Sequence, residues 1–310
     1  MEHSLDLTYH WAGFSALVVF VIAYAFVMAE EFTHLRKSKP VVLAAGLIWG
    51  MIAIAYSNTP HYEMVEHEIR HSFLEYTELA FFLLVAMTYI NALEERNVFN
   101  SLKSWLIKNQ FSYRQLFWIT GVLAFFLSPL ADNLTTALVL CAVVVAVGSS
   151  SPKFVGLACV NIVVAANAGG AFSPFGDITT LMVWQAGQLD FLQFFALVIP
   201  SVVNYIIPAS IMHFFVSDHK PDVAETSVTI KYGGKTIILL GLLTIVTAVS
   251  FHNFLHLPPV FGMMTGLAYL QLYSFYIKIS VKDIEEQKYD FFENVARVEW
   301  DTLLFFFGVI

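Results

Sequence analysis

Charged residues are scarce in this chain of 310 residues, since 13% are Asp, Glu, Lys or Arg while 58% are hydrophobic. Soluble globular domains carry about 25% charged residues, so the composition argues against that class. Cysteine is nearly absent as well: Cys141 and Cys159 both lie inside apolar runs, which argues against a disulfide framework or a cysteine-metal cluster. We interpret both as packing residues. No soluble domain, cofactor motif or nucleic-acid-binding patch is visible.

Long runs without charge occupy most of the chain, and about 20 apolar residues are enough to cross a bilayer. The sequence therefore predicts an all-α polytopic membrane protein. No Lys or Arg precedes the first run, which argues against a signal peptide. The last run is long enough for two spans that turn near Leu257-Pro258-Pro259. The charge-free runs are 11–29, 40–62, 79–93, 115–131, 133–152, 154–176, 178–189, 191–217 and 236–277.

Basic residues indicate the sidedness of the loops. Arg36, Lys37 and Lys39 follow the first run, whereas the loop predicted at 57–72 carries Arg70 alone among several glutamates. Cytoplasmic loops are enriched in Lys and Arg, so the first loop is predicted inside and the second outside. The protein is predicted to lie in the inner (cytoplasmic) membrane, with its N-terminus outside the cell membrane. The histidines of the external loop are interpreted as solvated, and they are His61, His67 and His71.

Two interruptions are predicted in the middle of the chain. Arg114 and Lys153 are both predicted inside, and the arms between them, 115–129 and 133–148, are each about 15 residues or roughly 22 Å long, shorter than a bilayer core. This favours a re-entrant helical hairpin over 115–148, although two short spans would give the same sidedness. The next run, 154–187, is too long for one span, and its three glycines and one proline at 167–177 predict a broken helix.

The same polar motif occurs at both interruptions: SPLADNLTT at 128–136 and SPFGDITT at 173–180. An intramembrane carboxylate usually marks an ion or proton site, because a charge at this depth is costly. Oxygen ligands suit a small hard cation, and burial favours the protonated form of a carboxylate, so a proton and a cation can compete for it. That competition predicts an antiporter; the alternative is that Asp177 only caps a half-helix. The candidate site residues are Asp132, Asn133, Thr135, Asn167, Ser173, Asp177, Thr179 and Thr180.

A second repetition links residues 75–86, EYTELAFFLLVA, to 299–310, EWDTLLFFFGVI, with five of twelve positions identical. The first copy is predicted to run inward and the second outward, which is typical of an inverted repeat. We therefore expect scaffold spans at 1–72, a first transport repeat at 73–217, linking spans and a cytoplasmic loop at 218–298, and the start of a second, incomplete repeat at 299–310. The chain is expected to be a truncated or split form of a longer transporter.

SPLADN, NAGGAFSPFGDITT and EWDTLLFFFGV resemble the NhaD-type sodium/proton antiporters of the ion-transporter superfamily. The resemblance implies an elevator-type fold of two inverted repeats, a homodimer built on scaffold helices, and exchange of Na⁺ or Li⁺ for H⁺ without a cofactor. It also implies that the candidate residues form the first-repeat half of the ion site. Members have a second hairpin and a second broken helix, so a separate C-terminal half is an expected partner, together with the lipid bilayer.

Two rival functions follow from the same residues. An anion transporter of the superfamily would carry dicarboxylate or arsenite, but the spans hold no Lys or Arg near either motif to pair with an anion. An intramembrane aspartyl protease would use Asp132 and Asp177 as a catalytic pair. Such enzymes show Gly-x-Gly-Asp on an intact helix, whereas Pro174 occupies the first glycine position here. The sequence therefore favours a transporter and predicts no enzymatic activity.

Overall fold

The structure is a computed structural model that describes residues 7–60, 62–109, 111–131, 133–148, 151–220, 228–280 and 289–310. Its regular elements are helices. In chain order they are α1 Trp11–Met28, α2 Glu30–Thr33, α3 Ser38–Tyr56, α4 Tyr62–Glu95, α5 Val98–Lys108, α6 Tyr113–Ala131, α7 Asn133–Val147, α8 Pro152–Gly170, α9 Ile178–Gln185, a 3-10 helix Phe191–Leu197, α10 Val198–His213, α11 Gly234–Leu255, α12 Pro259–Ser280, α13 Phe291–Ala296 and α14 Trp300–Val309.

Seven helical segments of the described chain are long and apolar enough to cross a bilayer, so the protein is a multi-pass membrane protein as predicted. The predicted turn near Leu257 is confirmed. His256 adopts a left-handed conformation at the end of α11, and Pro259 begins α12. The candidate spans are Trp11–Met28, Ser38–Tyr56, Tyr62–Glu95, Pro152–Gly170, Phe191–His213, Gly234–Leu255 and Pro259–Ser280.

The loop predicted at 57–72 is wrong over most of its length, because α4 already begins at Tyr62 and continues for 34 residues. Side chains four residues apart pair along its exposed first half: Arg70 Nη2 lies 2.7 Å from Glu66 Oε1, and His71 Nδ1 lies 3.5 Å from Glu75 Oε1. Such pairs stabilise exposed helix. Polarity marked this segment as solvated, but it did not show that the segment continues the following span.

The chain divides into two compact units. The first comprises Met1–Met87 and Val295–Ile310, and in it α3 packs against α1 and α14. Gly308 allows the close approach of α14, because a Cβ there would lie 2.6 Å from the carbonyl carbon of Val41. Ser38 donates its hydroxyl to Asp301 Oδ1. The predicted repeat boundaries stay predictions.

The second unit, Thr88–Asn294, is built around α8, which packs against α6, α7 and α10. Its buried face is rich in small residues, and Ala158, Ala165 and Ala166 are wholly inaccessible. Small side chains let helix backbones approach closely, which is how helices associate in a membrane. Both free cysteines pack at the edge of this core, in agreement with their interpretation as packing residues.

A buried arginine follows the carboxyl-terminal end of α4. Arg96 is 0% exposed; its Nη2 lies 2.8 Å from Glu95 Oε1, and its guanidinium lies 4.8 Å from the ring centroid of Tyr289. Asn294 Nδ2 donates to the other carboxylate oxygen of Glu95. Burial raises the pKa of the Tyr289 phenol, so this side chain is uncharged at neutral pH. Its ring then interacts with the Arg96 cation through a cation–π contact.

Candidate functional site

The first Ser-Pro motif lies inside a helix rather than after one. α6 runs for 19 residues and includes Pro129, so it extends two residues past the predicted end at 129. Proline near the end of a helix removes only its own donor, which allows the last turn to form. At about 1.5 Å per residue α6 is about 28 Å long, close to the thickness of a bilayer core. The prediction of two short arms therefore holds for α7, with 15 residues, and is wrong for α6. Re-entry stays a prediction.

Pro129 also shapes the contact between α6 and α8. It has no N–H to donate to the carbonyl of Phe125 one turn earlier. That carbonyl lies against Gly169, where a Cβ would stand only 2.1 Å from the oxygen. The glycine therefore serves a close backbone approach, and the two helices converge where the polar motifs lie.

The helix break lies within the predicted segment: α8 ends at Gly170 and α9 begins at Ile178. The intervening chain folds back on itself, since a Cβ at Gly176 would lie 2.4 Å from the Cα of Gly170. Thr180 Oγ1 donates to the Ser173 carbonyl at 2.9 Å, which ties the break to the first turn of α9. Glycines at both ends of the break are thus required by space.

Asp177 does cap α9, as the alternative interpretation proposed. Its Oδ1 accepts from the backbone N–H of Thr179 at 2.9 Å and from the Thr179 hydroxyl at 2.8 Å. The cap uses one carboxylate oxygen only. Oδ2 faces the hairpin, and its partner there is Asn133. Capping therefore accounts for half of this carboxylate.

The two motifs meet at Asn133, the first residue of α7. Its Nδ2 lies 2.7 Å from Asp177 Oδ2 and 3.2 Å from Asn167 Oδ1, and its backbone N–H donates to the Gly176 carbonyl at 3.0 Å. On the α6 side, Ser173 Oγ donates to the Pro129 carbonyl at 3.1 Å. The hairpin and the broken helix are thus joined directly by their polar residues.

Six candidate site residues therefore lie in one cluster, and Thr135 lies half-buried in the first turn of α7, two residues after Asn133. Asp132 lies outside the described residues. Ser173 is buried, whereas Asn167 and Thr179 are exposed, so the cluster opens on one side. The six clustered residues are Asn133, Asn167, Ser173, Asp177, Thr179 and Thr180.

Ser128 was missed as a candidate. It is 0% exposed, its hydroxyl has no hydrogen-bond partner among the described residues, and a Cβ at Gly170 would lie 3.1 Å from its oxygen. The signal was present in the sequence, because Ser128 occupies the position in the first motif that Ser173 occupies in the second. Ser128 was not chosen because the residues before it in α6 are apolar.

Four helix ends surround the cluster. The carboxyl ends of α6 and α8 present carbonyls that have no partner within their own helix, which favours a cation, and the amino ends of α7 and α9 present N–H groups of the same kind. The Asn133 amide occupies the point between two oxygens, Asp177 Oδ2 and Asn167 Oδ1. A donor held between two acceptors marks a place where a small cation could replace it.

Comparison with known proteins agrees with this geometry. The sequence model of the citrate transporter family matches residues 11–310. The Na(+)/H(+) antiporter NhaD of Vibrio cholerae is 52% identical over 328 aligned residues, which cover 99% of this chain and 69% of the relative. The chain belongs to the NhaD family. The resemblance drawn from the Ser-Pro motifs is thereby confirmed.

Two further relatives match over most of this chain. NhaD of Alkalimonas amylolytica is 51% identical, with 99% of this chain and 68% of the relative covered. Sodium/proton antiporter 1 of Arabidopsis thaliana is 31% identical over 94% of this chain and 50% of its own length. The stretch aligned with the NhaD antiporters covers 99% of this chain and therefore spans both Ser-Pro motifs.

Proposed function

We propose that this protein exchanges Na⁺ or Li⁺ for H⁺ at the cluster around Asp177. The observation that carries the proposal is the position of the Asn133 amide between Asp177 Oδ2 and Asn167 Oδ1. These are two oxygen acceptors, and one of them belongs to a carboxylate. The similarity to the NhaD relatives, which are Na⁺/H⁺ antiporters, supports it. Oxygen atoms from carboxylate, amide, hydroxyl and carbonyl groups are the ligands that small hard cations prefer.

Exchange follows from competition at the carboxylate. A bound cation requires ionised Asp177, and a proton on the same group removes the charge that holds the cation. Entry of the cation displaces the Asn133 Nδ2 donor, and rotation of that amide presents its oxygen as a further ligand. Asp132 is proposed as a second carboxylate, and Thr135, Ser173, Thr179 and Thr180 as hydroxyl or positioning groups.

The cluster is proposed as one half of the full site. Its exposed side at Asn167 and Thr179 suits completion by a second repeat, supplied by further chain or by a separate C-terminal half. We further propose a homodimer in the inner membrane with the N-terminus outside. The basic residues Arg36, Lys37 and Lys39 after the first span support that orientation.

Citrate or another dicarboxylate is the second candidate substrate, because the matching family model bears the description citrate transporter. Asp177 argues against it, since the carboxylate would repel an anion at the point where the motifs meet. Uptake of radiolabelled citrate into vesicles tests this candidate separately.

The test measures the dissipation of a pH gradient in everted vesicles on addition of Na⁺, Li⁺ or K⁺. We expect Na⁺- and Li⁺-dependent dissipation that is lost in Asp177→Asn, a change that removes the charge but keeps a good helix cap. Asp190→Asn is the matched control, because Asp190 caps the 3-10 helix after the cluster. Full exchange in well-expressed Asp177→Asn would contradict the proposal. If the well-expressed chain gives no cation response alone, the assay is repeated with the C-terminal half supplied, and silence there would contradict it as well.

A further inference from the structure

A second polar contact joins two helices of the same unit away from the cluster. Trp118 Nε1 on α6 donates to His213 Nδ1 on α10, at 2.9 Å. Both side chains are half-buried, and their ring centroids are 6.0 Å apart. This contact ties the hairpin arm that carries Pro129 to a neighbouring span.

The contact depends on the protonation state of one partner. An indole N–H is only a donor, so Nδ1 of His213 must carry no proton to accept from it. Protonation of Nδ1 would leave two donors, the Trp118 Nε1–H and the His213 Nδ1–H, facing each other, and the hydrogen bond would break. The Trp118–His213 hydrogen bond therefore forms only with neutral imidazole.

The protonated form of His213 would make a different interaction. It is the last residue of α10, and the carboxyl end of a helix stabilises a cation through its free carbonyls. Neutral His213 gains the Trp118 hydrogen bond, whereas protonated His213 gains the interaction with the helix end. The residue thus has a different partner in each of its two protonation states.

Packed rings connect this contact to the cluster. The Trp118 ring lies 6.3 Å from the Tyr205 ring, and Tyr205 stacks on Phe125 at 5.6 Å. The Phe125 carbonyl lies against Gly169, close to the start of the helix break. These contacts form a continuous packed path from Trp118 to the helix break, along which the two could be coupled.

Ionisable groups also lie on the elements that pack against α10 and on the chain after it. α6 and α8 pack against α10, as does the 3-10 helix, whose described sequence contains no ionisable side chain. Arg114 Nη2 donates to the Val216 carbonyl at 3.2 Å, and Asp218 accepts from Ser112 at 2.8 Å. The ionisable groups of the surrounding elements are Tyr113 and Arg114 on α6, Lys153 and Cys159 on α8, Tyr205 on α10, and Asp218, His219 and Lys220 after α10.

We propose that His213 is a positioning residue whose protonation releases Trp118 and shifts α6, so that transport slows at acid pH. The inference rests on the proposed exchange of cations for protons at Asp177. It concerns a different group from the one that binds the cation. Competition between protons and cations vanishes at saturating Na⁺, whereas release of Trp118 does not.

The test records transport rate against pH at saturating Na⁺ in proteoliposomes. His213→Gln provides an amide oxygen that accepts from Trp118 at every pH, so the acid limb of the profile should move about one pH unit lower. Trp118→Phe should slow transport at alkaline pH, where the contact normally forms. The double variant should match Trp118→Phe, because His213 acts through that indole.

His219→Gln is the matched control, since its backbone carbonyl, not its side chain, accepts from the Tyr113 N–H at 2.9 Å. A wild-type profile in His213→Gln, or an equal shift when Trp118 is already replaced, would overturn the proposal. Tryptophan emission separates this failure from failure of the proposed function. The difference in emission between wild type and Trp118→Phe should titrate with pH and stop titrating in His213→Gln, whether or not the protein transports cations.

Discussion

Asn133 and Asp177, 44 residues apart in the sequence, share a hydrogen bond of 2.7 Å between Nδ2 and Oδ2. The same amide nitrogen reaches Asn167 Oδ1 at 3.2 Å. One side chain thus holds the start of α7 against the end of α8 and the cap of α9. Any ion that binds between these oxygens must first displace the Asn133 donor.

Removal of that amide should weaken cation binding. In Asn133→Ala we expect the half-saturating Na⁺ concentration to rise roughly tenfold, equivalent to about 1.4 kcal/mol. Cation titrations of the exchange rate measure it. Asn109→Ala is the control. Asn109 is exposed, directly follows α5, and donates from its side chain to the Trp105 carbonyl at 2.7 Å. An unchanged Na⁺ dependence in Asn133→Ala would exclude a ligand role.

Two substitutions of Asp177 separate its cap from its charge. Asp177→Asn keeps a side-chain oxygen for the Thr179 N–H, whereas Asp177→Ala removes it and should cost about 1 kcal/mol of stability. Both should abolish exchange, but only Asp177→Ala should lower the thermal midpoint. Unfolding in detergent, followed beside vesicle transport, measures both effects. Equal stability of the two variants would show that the cap contributes little.

The contact of Gly169 with the Phe125 carbonyl should be intolerant of any side chain. A Cβ at Gly169 would lie 2.1 Å from that oxygen, so Gly169→Ala should destabilise the protein by about 1–3 kcal/mol. Gly156 on the same helix has nothing within 4 Å of its Cβ position, so Gly156→Ala should be neutral or slightly stabilising. Thermal unfolding of both variants measures the difference. Equal midpoints would contradict the close approach of α6 and α8.

Burial should distinguish two arginines of α4 and its end. Arg96 is inaccessible, and its loss removes the cationic partner of Glu95, so Arg96→Leu should cost about 3–5 kcal/mol. The side chain of Arg70 is 77% exposed where it pairs with Glu66, so Arg70→Leu should cost no more than about 1 kcal/mol. Detergent unfolding and expression level measure both. Similar losses would show that the Arg96 cluster adds no stability.

Polar residues were informative inside the membrane-spanning runs, because the bilayer core is apolar and a polar side chain there is costly. The two Ser-Pro motifs predicted the clustered residues, because a carboxylate such as Asp177 in an apolar run needs a reason to be there. The same reasoning failed at α4, since polar residues 62–72 form regular helix as readily as loop. It also ended the first arm at Pro129, whereas α6 continues to Ala131. A proline so close to the end of a helix does not stop the last turn.

The amino-acid sequence by itself determined the class of protein, the number of apolar segments near its middle, the break at 171–177 and most of the polar residues of the cluster, because composition and helix-breaking residues act locally. Only the tertiary structure decided that Asn133 bridges Asp177 and Asn167, that the freed Phe125 carbonyl meets Gly169, and that Trp118 reaches His213. Those relationships join residues far apart in the chain, and they depend on how helices pack. Packing is a property of complementary surfaces, which no single segment of sequence displays.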